Sequence, residues 1–265
     1  MDGPEGEIEA AISDGRWGEA LQLLDAASLE ERSTPALLEL RARAAYGSGD
    51  LEGSIAAWED LHAALCDADD LEGAARAAAM VAMFLMIDTG LMSPVRGWVG
   101  RAEQLLDGCD EHPVHAVIAA VRTYERFMCG DLSAARTHSQ RAVALGRRLG
   151  DPAAEVIGRT AAARLTIFEG DVLEGVAELD EIGGLLMSGA VDPLTTGMML
   201  CELICAAQGL ALHGMAAEWT EAMERWRPGA AVGGLHGRCR VHRAEILRVR
   251  GPCSRRPRSG RRSSL

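Results

Sequence analysis

The sequence predicts an all-α protein, an α-solenoid of stacked antiparallel helix pairs that wind into a right-handed superhelix. Apolar residues make up 48% of the 265 residues and aromatic residues only 4%, a mixture that suits closely packed helices better than a sheet. Apolar side chains recur at helical spacing, and we find no run that alternates as a strand does. A short glycine turn also recurs with a nearly constant period, as repeat proteins require.

The repeated turn is seen most clearly in three strings, SGDLEG at 48–53, CGDLSA at 129–134 and EGDVLE at 169–174. Successive turns are 34, 41, 40, 40, 39 and 42 residues apart, which is the range of repeats built from helix pairs. Each unit is therefore predicted to be a helix A, a turn and a helix B, repeated over residues 5–250. The predicted turn glycines are Gly15, Gly49, Gly90, Gly130, Gly170, Gly209 and Gly251.

Residues around each turn support this interpretation. Glycine adopts the left-handed conformation that ends helix A, and Asp50, Asp131 or Asp171 directly after it is placed to cap helix B. Proline, which suits a first helical turn, marks the joints between units. These prolines are Pro35, Pro113, Pro152 and Pro193.

Helix B is predicted to approach helix A through a small residue and to fill the remaining groove with a larger one. The small residues are Ala20, Ser54, Ala134, Ala135, Gly175 and Gly214. The larger ones are Leu24, Trp58, Trp98, Leu179 and Trp219.

The charge of the chain divides it into two segments. The repeat domain is predicted over residues 1–251, and residues 252–265 hold five arginines and no acid within a chain of net charge −12. The acidic body argues against a general nucleic-acid surface. The tail is either a basic segment for nucleic acid or anionic lipid, or a disordered product of a frameshift or truncation, which we favour. The last helix A, at 237–251, would then lack a partner, so we expect self-association through that end.

The location of the protein is predicted from its N-terminus and its cysteines. The first fifteen residues are acidic without an apolar leader, and none of the seven cysteines forms C-x-x-C. We therefore expect reduced, mostly buried cysteines and a cytoplasmic protein. The longest apolar stretch, at 77–87, has about half the length of a membrane span and is predicted to be a buried helix.

Motifs that carry catalysis or hold cofactors are not found in the sequence, so no enzyme activity, catalytic residue or cofactor is predicted. Two histidine groups were weighed as metal ligands, His112 with His115, and His236 with Cys239 and His242. Neither completes a tetrahedral set at the usual spacing. We therefore predict no metal site.

Two strings 34 residues apart, DGRWGEALQLL at 14–24 and GDLEGSIAAWEDL at 49–61, resemble tetratricopeptide repeats. The longer later spacing resembles the MalT-type variant of that repeat. Residues 97–108, 142–156 and 237–251 resemble the helical-repeat region of actinobacterial LuxR-type transcriptional regulators. The resemblance covers about residues 5–251 and implies a protein-binding or sensing domain. The helix-turn-helix that binds DNA in that family has no counterpart here, so no direct DNA binding is expected.

The resemblance also implies where a ligand would bind, because helix A residues line the concave groove of tetratricopeptide folds. Two rows, six and three residues before each turn glycine, are the candidates, and a protein or peptide is the predicted partner. The alternative is that the aromatic residues belong to the core and the arginines are solvated. The candidate groove residues are Arg43, Tyr46, Phe84, Tyr124, Arg164 and Glu245.

Three functions remain open from the sequence. The first is the sensor or interaction part of a LuxR-type regulator without its helix-turn-helix. The second is a stand-alone tetratricopeptide adaptor. The third is the repeat fragment of a signalling ATPase or cyclase, since similar repeats accompany those modules.

Overall fold

The structure is a computed structural model that describes residues 4–226 and position 244. This part of the chain contains thirteen α-helices and no strand, which confirms the predicted all-α fold. In chain order they are α1 (Pro4–Ser13), α2 (Trp17–Ala26), α3 (Leu29–Arg32), α4 (Pro35–Ser48), α5 (Leu51–Asp67), α6 (Leu71–Asp88), α7 (Met92–Leu105), α8 (Pro113–Met128), α9 (Leu132–Leu149), α10 (Pro152–Glu169), α11 (Val172–Met187), α12 (Pro193–Gly209) and α13 (His213–Trp226).

The helices pack as consecutive pairs, which confirms the predicted solenoid of stacked helix pairs. The pairs are α1–α2, α4–α5, α6–α7, α8–α9, α10–α11 and α12–α13, and each helix A also packs on a helix of the preceding pair. The short α3 stands outside this scheme. Its first turn is held by a capping box in which Ser28 and Glu31 each accept the other's backbone N–H.

Five of the predicted turn glycines, at 15, 49, 90, 130 and 170, have a positive φ between paired helices. The sixth turn differs. Gly209 is the last residue of α12, and the left-handed residue is Ala211, with φ of 58°. A helical hairpin needs one left-handed residue after the final turn of helix A, and because α12 includes Gly209, that residue lies two positions further along the chain.

Aspartates cap most of the helices that follow a turn or joint. The carboxylates of Asp50, Asp70 and Asp131 each accept a backbone N–H three residues ahead, over 2.9, 2.9 and 3.1 Å. Asp171 makes no such bond. Asp70 caps α6, which starts at Leu71 without a proline. The predicted prolines therefore did not mark the joint before the third pair.

The predicted close approach between paired helices is seen at Gly175, where a Cβ would lie 2.6 Å from the carbonyl oxygen of Ala163. Gly214 has no such role, because a Cβ there would meet no atom within 4 Å. The buried small residues of α13 are Ala216 and Ala217, two and three positions further along the helix. Trp98 is only half-buried, whereas the other four predicted groove-filling residues are buried.

The main core continues from the second pair to the last, while buried side chains of α1 and α2 form a separate cluster with α4. One cluster of buried apolar side chains joins α4, α5 and α6 to α10 through α13. Phe84 of α6 and Leu203 of α12 both belong to it and are almost fully buried. The helix α12 therefore packs across the inner side of the earlier pairs, and this arrangement positions the site described below.

The cysteines depart from the prediction of mostly buried side chains. In the described part, Cys66, Cys109 and Cys129 are exposed, whereas Cys201 is buried. The three exposed residues lie at the ends of helices or in a turn, where the chain leaves the core. The apolar stretch 77–87 lies inside α6. None of the described helices is long and apolar enough to span a membrane.

Several predictions fall on positions outside the described residues. They concern the turn at Gly251, the unpaired helix at 237–251, the tail at 252–265 and the histidine–cysteine group at 236–242. The groove residue Glu245 is also outside the described part.

Candidate functional site

A cavity of about 580 Å³ lies between the first three helix pairs and the beginning of α12. Its lining includes the exposed residues Ser13, Asp192 and Pro193, so it opens to solvent. We call it the aromatic cavity, because two tryptophans, a tyrosine and a phenylalanine form much of its wall. The lining residues are Ile12, Ser13, Trp17, Glu39, Arg43, Tyr46, Gly47, Trp58, Arg76, Met80, Phe84, Asp192, Pro193 and Leu194.

Trp17 enters the cavity because α4 has no side chain at Gly47. A Cβ on Gly47 would lie 2.3 Å from the Cδ2 atom of the Trp17 ring, so the indole rests directly on the α4 backbone. Trp17 is the first residue of α2 and only partly buried. Its Nε1–H is buried and has no hydrogen-bond partner among the described residues.

Trp58 forms another, more buried part of the wall. It lies in α5 with 2% of its surface exposed. Its Nε1–H is likewise buried without a hydrogen-bond partner in the described part of the chain. The guanidinium of Arg76 lies 5.8 Å from the ring centroid, within the range of a cation–π contact.

Tyr46 and Phe84 complete the aromatic wall. Their ring centroids are 4.7 Å apart with the planes tilted by 44°, a favourable arrangement for two aromatic rings. Both residues are buried in the core that joins the second and third pairs to the last. Core packing therefore holds these two rings in place before any ligand arrives.

The charges at the cavity are paired within the protein. The guanidinium of Arg43 donates two hydrogen bonds of 2.8 Å to the carboxylate of Glu9. Arg76 donates to both oxygens of Glu39, over 3.0 and 2.5 Å. Bidentate pairs of this kind fix both partners and neutralise their charge. The site therefore offers an aromatic surface with little net charge from these arginines.

The beginning of α12 closes one side of the cavity through Asp192, Pro193 and Leu194. Asp192 caps α12, because its carboxylate accepts the backbone N–H of Thr195 over 3.0 Å. Pro193 occupies the first helical position, where its fixed φ suits the helix and its missing N–H is not needed. This edge of the cavity is consequently built from a rigid helix start.

The structure places Arg43, Tyr46 and Phe84 of the predicted groove together in the aromatic cavity. It places Tyr124 and Arg164 elsewhere, in the central pairs. The guanidinium of Arg164 is paired with the carboxylate of Glu202 and lies 4.9 Å from the Phe127 ring. Both candidate arginines are thus paired rather than solvated.

Tyr124 lines a second, smaller cavity of about 80 Å³ among α6, α8, α10 and α12. The wall there is largely methionine and aliphatic, and the Tyr124 hydroxyl lies 4.0 Å from the Sδ atom of Met199. Burial raises the pKa of Tyr124 well above its usual value. The phenol is therefore a neutral packing group in this part of the groove.

Sequence reasoning missed Trp17 and Arg76 as site residues and assigned Trp58 only to packing. A signal for Trp17 was present, because it stands two residues after its turn glycine. The equivalent positions of the next four units hold aliphatic or methionine side chains, Leu51, Met92, Leu132 and Val172. A tryptophan in that series indicates a special contact in the first unit.

The histidines weighed as metal ligands have a structural role. His112 and His115 form a capping box at the start of α8, in which each ring accepts a backbone N–H of the first turn. Among the described residues, no group of three or more His, Cys, Asp or Glu side chains is arranged to hold a metal ion.

Comparisons with known proteins give a limited result. No family model matches the chain. No curated protein matches it either. A solved structure described as a kinesin light chain with nearly identical TPR-like repeats, from Podosopora anserina, is similar at 15% sequence identity and a TM-score of 0.48. The similar region covers 69% of this chain and 95% of that one.

Proposed function

We propose that the protein is a non-enzymatic interaction domain that binds a peptide segment of a partner protein in the aromatic cavity. The cavity itself carries this proposal: about 580 Å³ of open space lies within the usual range of ligand sites, about 300–1,000 Å³. Its wall joins a mostly aromatic surface to a few polar groups, which is the usual composition of a binding site.

The wall is also preformed, which favours binding. Tyr46 and Phe84 are held by the core, and Arg43 and Arg76 are held by bidentate carboxylate pairs. A ligand that meets ordered side chains does not have to order them, so less of its binding free energy is lost. Aromatic anchors of this kind dominate many protein–protein contacts.

An array of synthetic peptides that cover diverse sequences tests the proposal with two matched variants. Ser13 is the exposed last residue of α1 and lines the cavity. Ser13→Trp places an indole in the opening. It is expected to abolish the binding of peptides that the native protein binds. Ser48 is the exposed last residue of α4 and does not line the cavity, so Ser48→Trp is expected to retain them.

Circular dichroism on both variants checks that the helices remain. Peptide binding that persists unchanged in folded Ser13→Trp would place the interaction elsewhere and overturn the proposal. Equal loss in both variants would also count against it, because the effect would then be general.

The wider role that we propose is the sensor or interaction part of a LuxR-type transcriptional regulator in the cytoplasm. The resemblance of residues 97–108, 142–156 and 237–251 to the repeat region of those regulators supports it. Translation of the downstream DNA in all three frames tests this role. Further repeats and a helix-turn-helix would support it, whereas an intergenic gap would favour the stand-alone adaptor, and an ATPase or cyclase module the third alternative.

A further inference from the structure

An exposed cysteine at the end of α5 lies beside a buried histidine one turn earlier in the same helix. Cys66 is the last but one residue of α5 and is exposed, whereas His62 has only 7% of its surface exposed. The Sγ atom of Cys66 lies 3.7 Å from the Nε2 atom of His62, which is a hydrogen-bond distance for sulfur. A cysteine at the surface is thus paired with an imidazole that lies inside the protein.

A backbone carbonyl determines which nitrogen of the imidazole can accept a proton. The Nδ1 atom of His62 lies 2.9 Å from the carbonyl oxygen of Ala74, the fourth residue of α6. A carbonyl oxygen only accepts hydrogen bonds, so Nδ1 carries the proton of the neutral ring and donates to it. Nε2 consequently presents its lone pair and accepts the S–H of Cys66.

Three helices hold the imidazole in this orientation. His62 belongs to α5 and donates to α6, and its ring contacts the indole ring of Trp98 in α7. The centroids of those two rings are 5.2 Å apart and their planes are at 85°. A nucleophile next to a base that a third group orients is the arrangement that activates side chains for nucleophilic attack.

We propose that Cys66 is a site of covalent modification by thiol–disulfide exchange, with His62 as the general base. Neither residue lines the aromatic cavity, so this inference goes beyond the proposed function. The Sγ atom of Cys66 attacks one sulfur of a small disulfide and gives its proton to Nε2 of His62. The new S–S bond forms as the old one breaks, and the leaving thiolate takes the proton from His62. Cys66 is oxidised to a mixed disulfide and the leaving sulfur is reduced to a thiol, so the exchange is complete with the disulfide as the oxidant.

Two features select the class of reagent. Exchange with a disulfide requires a proton to leave the attacking thiol and a proton to reach the leaving sulfur, and one oriented imidazole performs both transfers. Asp67, Asp69 and Asp70 follow Cys66 within four positions and are all exposed. Their negative charge repels an anionic disulfide. The reagent that fits is therefore a small disulfide that is neutral or cationic.

Cystamine, a cationic disulfide, tests the proposal on the full, reduced chain at pH 7. Peptide mass spectrometry after an acid quench follows the mixed disulfide at each cysteine with time. Cys109 is the control in the same sample, because it is exposed, lies between Asp107 and Asp110, and has no such histidine partner among the described residues. We expect Cys66 to react about a hundredfold faster, the lower end of what a positioned acid–base group contributes. Equal rates at the two cysteines would overturn the proposal.

The variant His62→Gln removes the base and keeps an amide that can donate to the carbonyl of Ala74. It is expected to slow Cys66 to the rate of Cys109 and to leave Cys109 unchanged. His138→Gln is the matched control, because His138 is a half-buried histidine of α9, and Cys66 should keep its native rate there. Circular dichroism shows whether each variant is folded, and the comparison within native protein decides if His62→Gln does not fold. A folded His62→Gln in which Cys66 reacts at the native rate would overturn the proposal.

Dithiodiglycolate, an anionic disulfide, tests the class of reagent. The rate of each disulfide at Cys66 is divided by its rate with N-acetylcysteine amide, a neutral thiol in solution, so that the intrinsic reactivity of the reagents cancels. We expect the normalised rate to be higher for cystamine than for dithiodiglycolate. An equal or higher normalised rate for dithiodiglycolate would refute the neutral or cationic class.

Discussion

Arg43 and Arg164 occupy the same position of the repeat, six residues before a turn glycine, yet their surroundings differ. Arg43 borders the open aromatic cavity, and its side chain is 39% exposed in its pair with Glu9. Arg164 lies in the closed central groove, where it is 21% exposed in its pair with Glu202, itself 18% exposed. The repeat places both side chains on the inner face, and what lies opposite decides their role.

The helix α12 makes the difference between the two regions. Its middle, with Met198, Met199 and Glu202, packs against the central pairs and leaves only the smaller cavity. Its beginning, at Asp192–Leu194, lines the aromatic cavity together with residues of the first three pairs. Equivalent positions in a repeat protein can therefore line an open cavity in one unit and belong to the core in another.

The largest expected effect comes from breaking the two arginine pairs. Arg164→Ala leaves the carboxylate of Glu202 largely buried and unpaired, so the free energy of unfolding should fall by about 3 kcal/mol. Arg43→Ala leaves the carboxylate of Glu9, which water already reaches, without its partner. The free energy of unfolding should therefore fall by less than about 1 kcal/mol. Urea-induced unfolding of both variants measures the difference. Equal losses would contradict the contrast between an open and a closed groove.

A smaller change in the free energy of unfolding is expected when the aspartates that follow the turns in the two regions are replaced. Asp50 accepts the backbone N–H of Gly53 over 2.9 Å, whereas Asp171 makes no side-chain cap bond. Asp50→Ala should therefore lower the free energy of unfolding by about 1 kcal/mol. Asp171→Ala should lower it by less, since only its charge near the helix start is lost. Thermal unfolding compares the two, and a larger loss for Asp171→Ala would show that the cap geometry is wrong.

The smallest effect is a pH dependence in the central pairs. Partial burial, and then the charge of Arg122, lower the pKa of His138, while Glu103 opposes this shift and Arg126 and Arg141 add to it. The unfolded chain consequently binds this proton first as the pH falls below about 6.5, so stability declines there. His138→Gln should flatten that decline. Urea midpoints at pH 7.5 and 5.5 measure it, and an unchanged decline would assign it to other groups.

The paired helices, their turns and most of their caps could be predicted from the sequence, because the signals are local. A glycine, an aspartate or a proline acts within one or two turns of helix. The misplaced turn at Gly209 shows the limit of such signals. A glycine also stands at the end of α12 without being the left-handed residue, and only Ala211 with its φ of 58° reveals the real turn.

The candidate site was predicted in part. The period placed Arg43, Tyr46 and Phe84 on the inner face, and the structure brings these three together. It could not separate them from Tyr124 and Arg164, which have the same periodic positions. The ion pairs between neighbouring units follow the repeat period approximately. Arg43 and Glu9 are 34 residues apart, and Arg164 and Glu202 are 38 residues apart. That spacing does not indicate how deeply each pair is buried.

The sequence by itself determined an all-α repeat of helix pairs, because helix starts, helix ends and small contact residues depend on neighbours within one unit. Only the tertiary structure decided which inner surface stays open. That outcome depends on where α12 packs against units more than a hundred residues earlier, as the contact of Trp17 and Leu194 with one cavity illustrates. Long-range packing of this kind arises from the summed geometry of all the units, and no single unit encodes it.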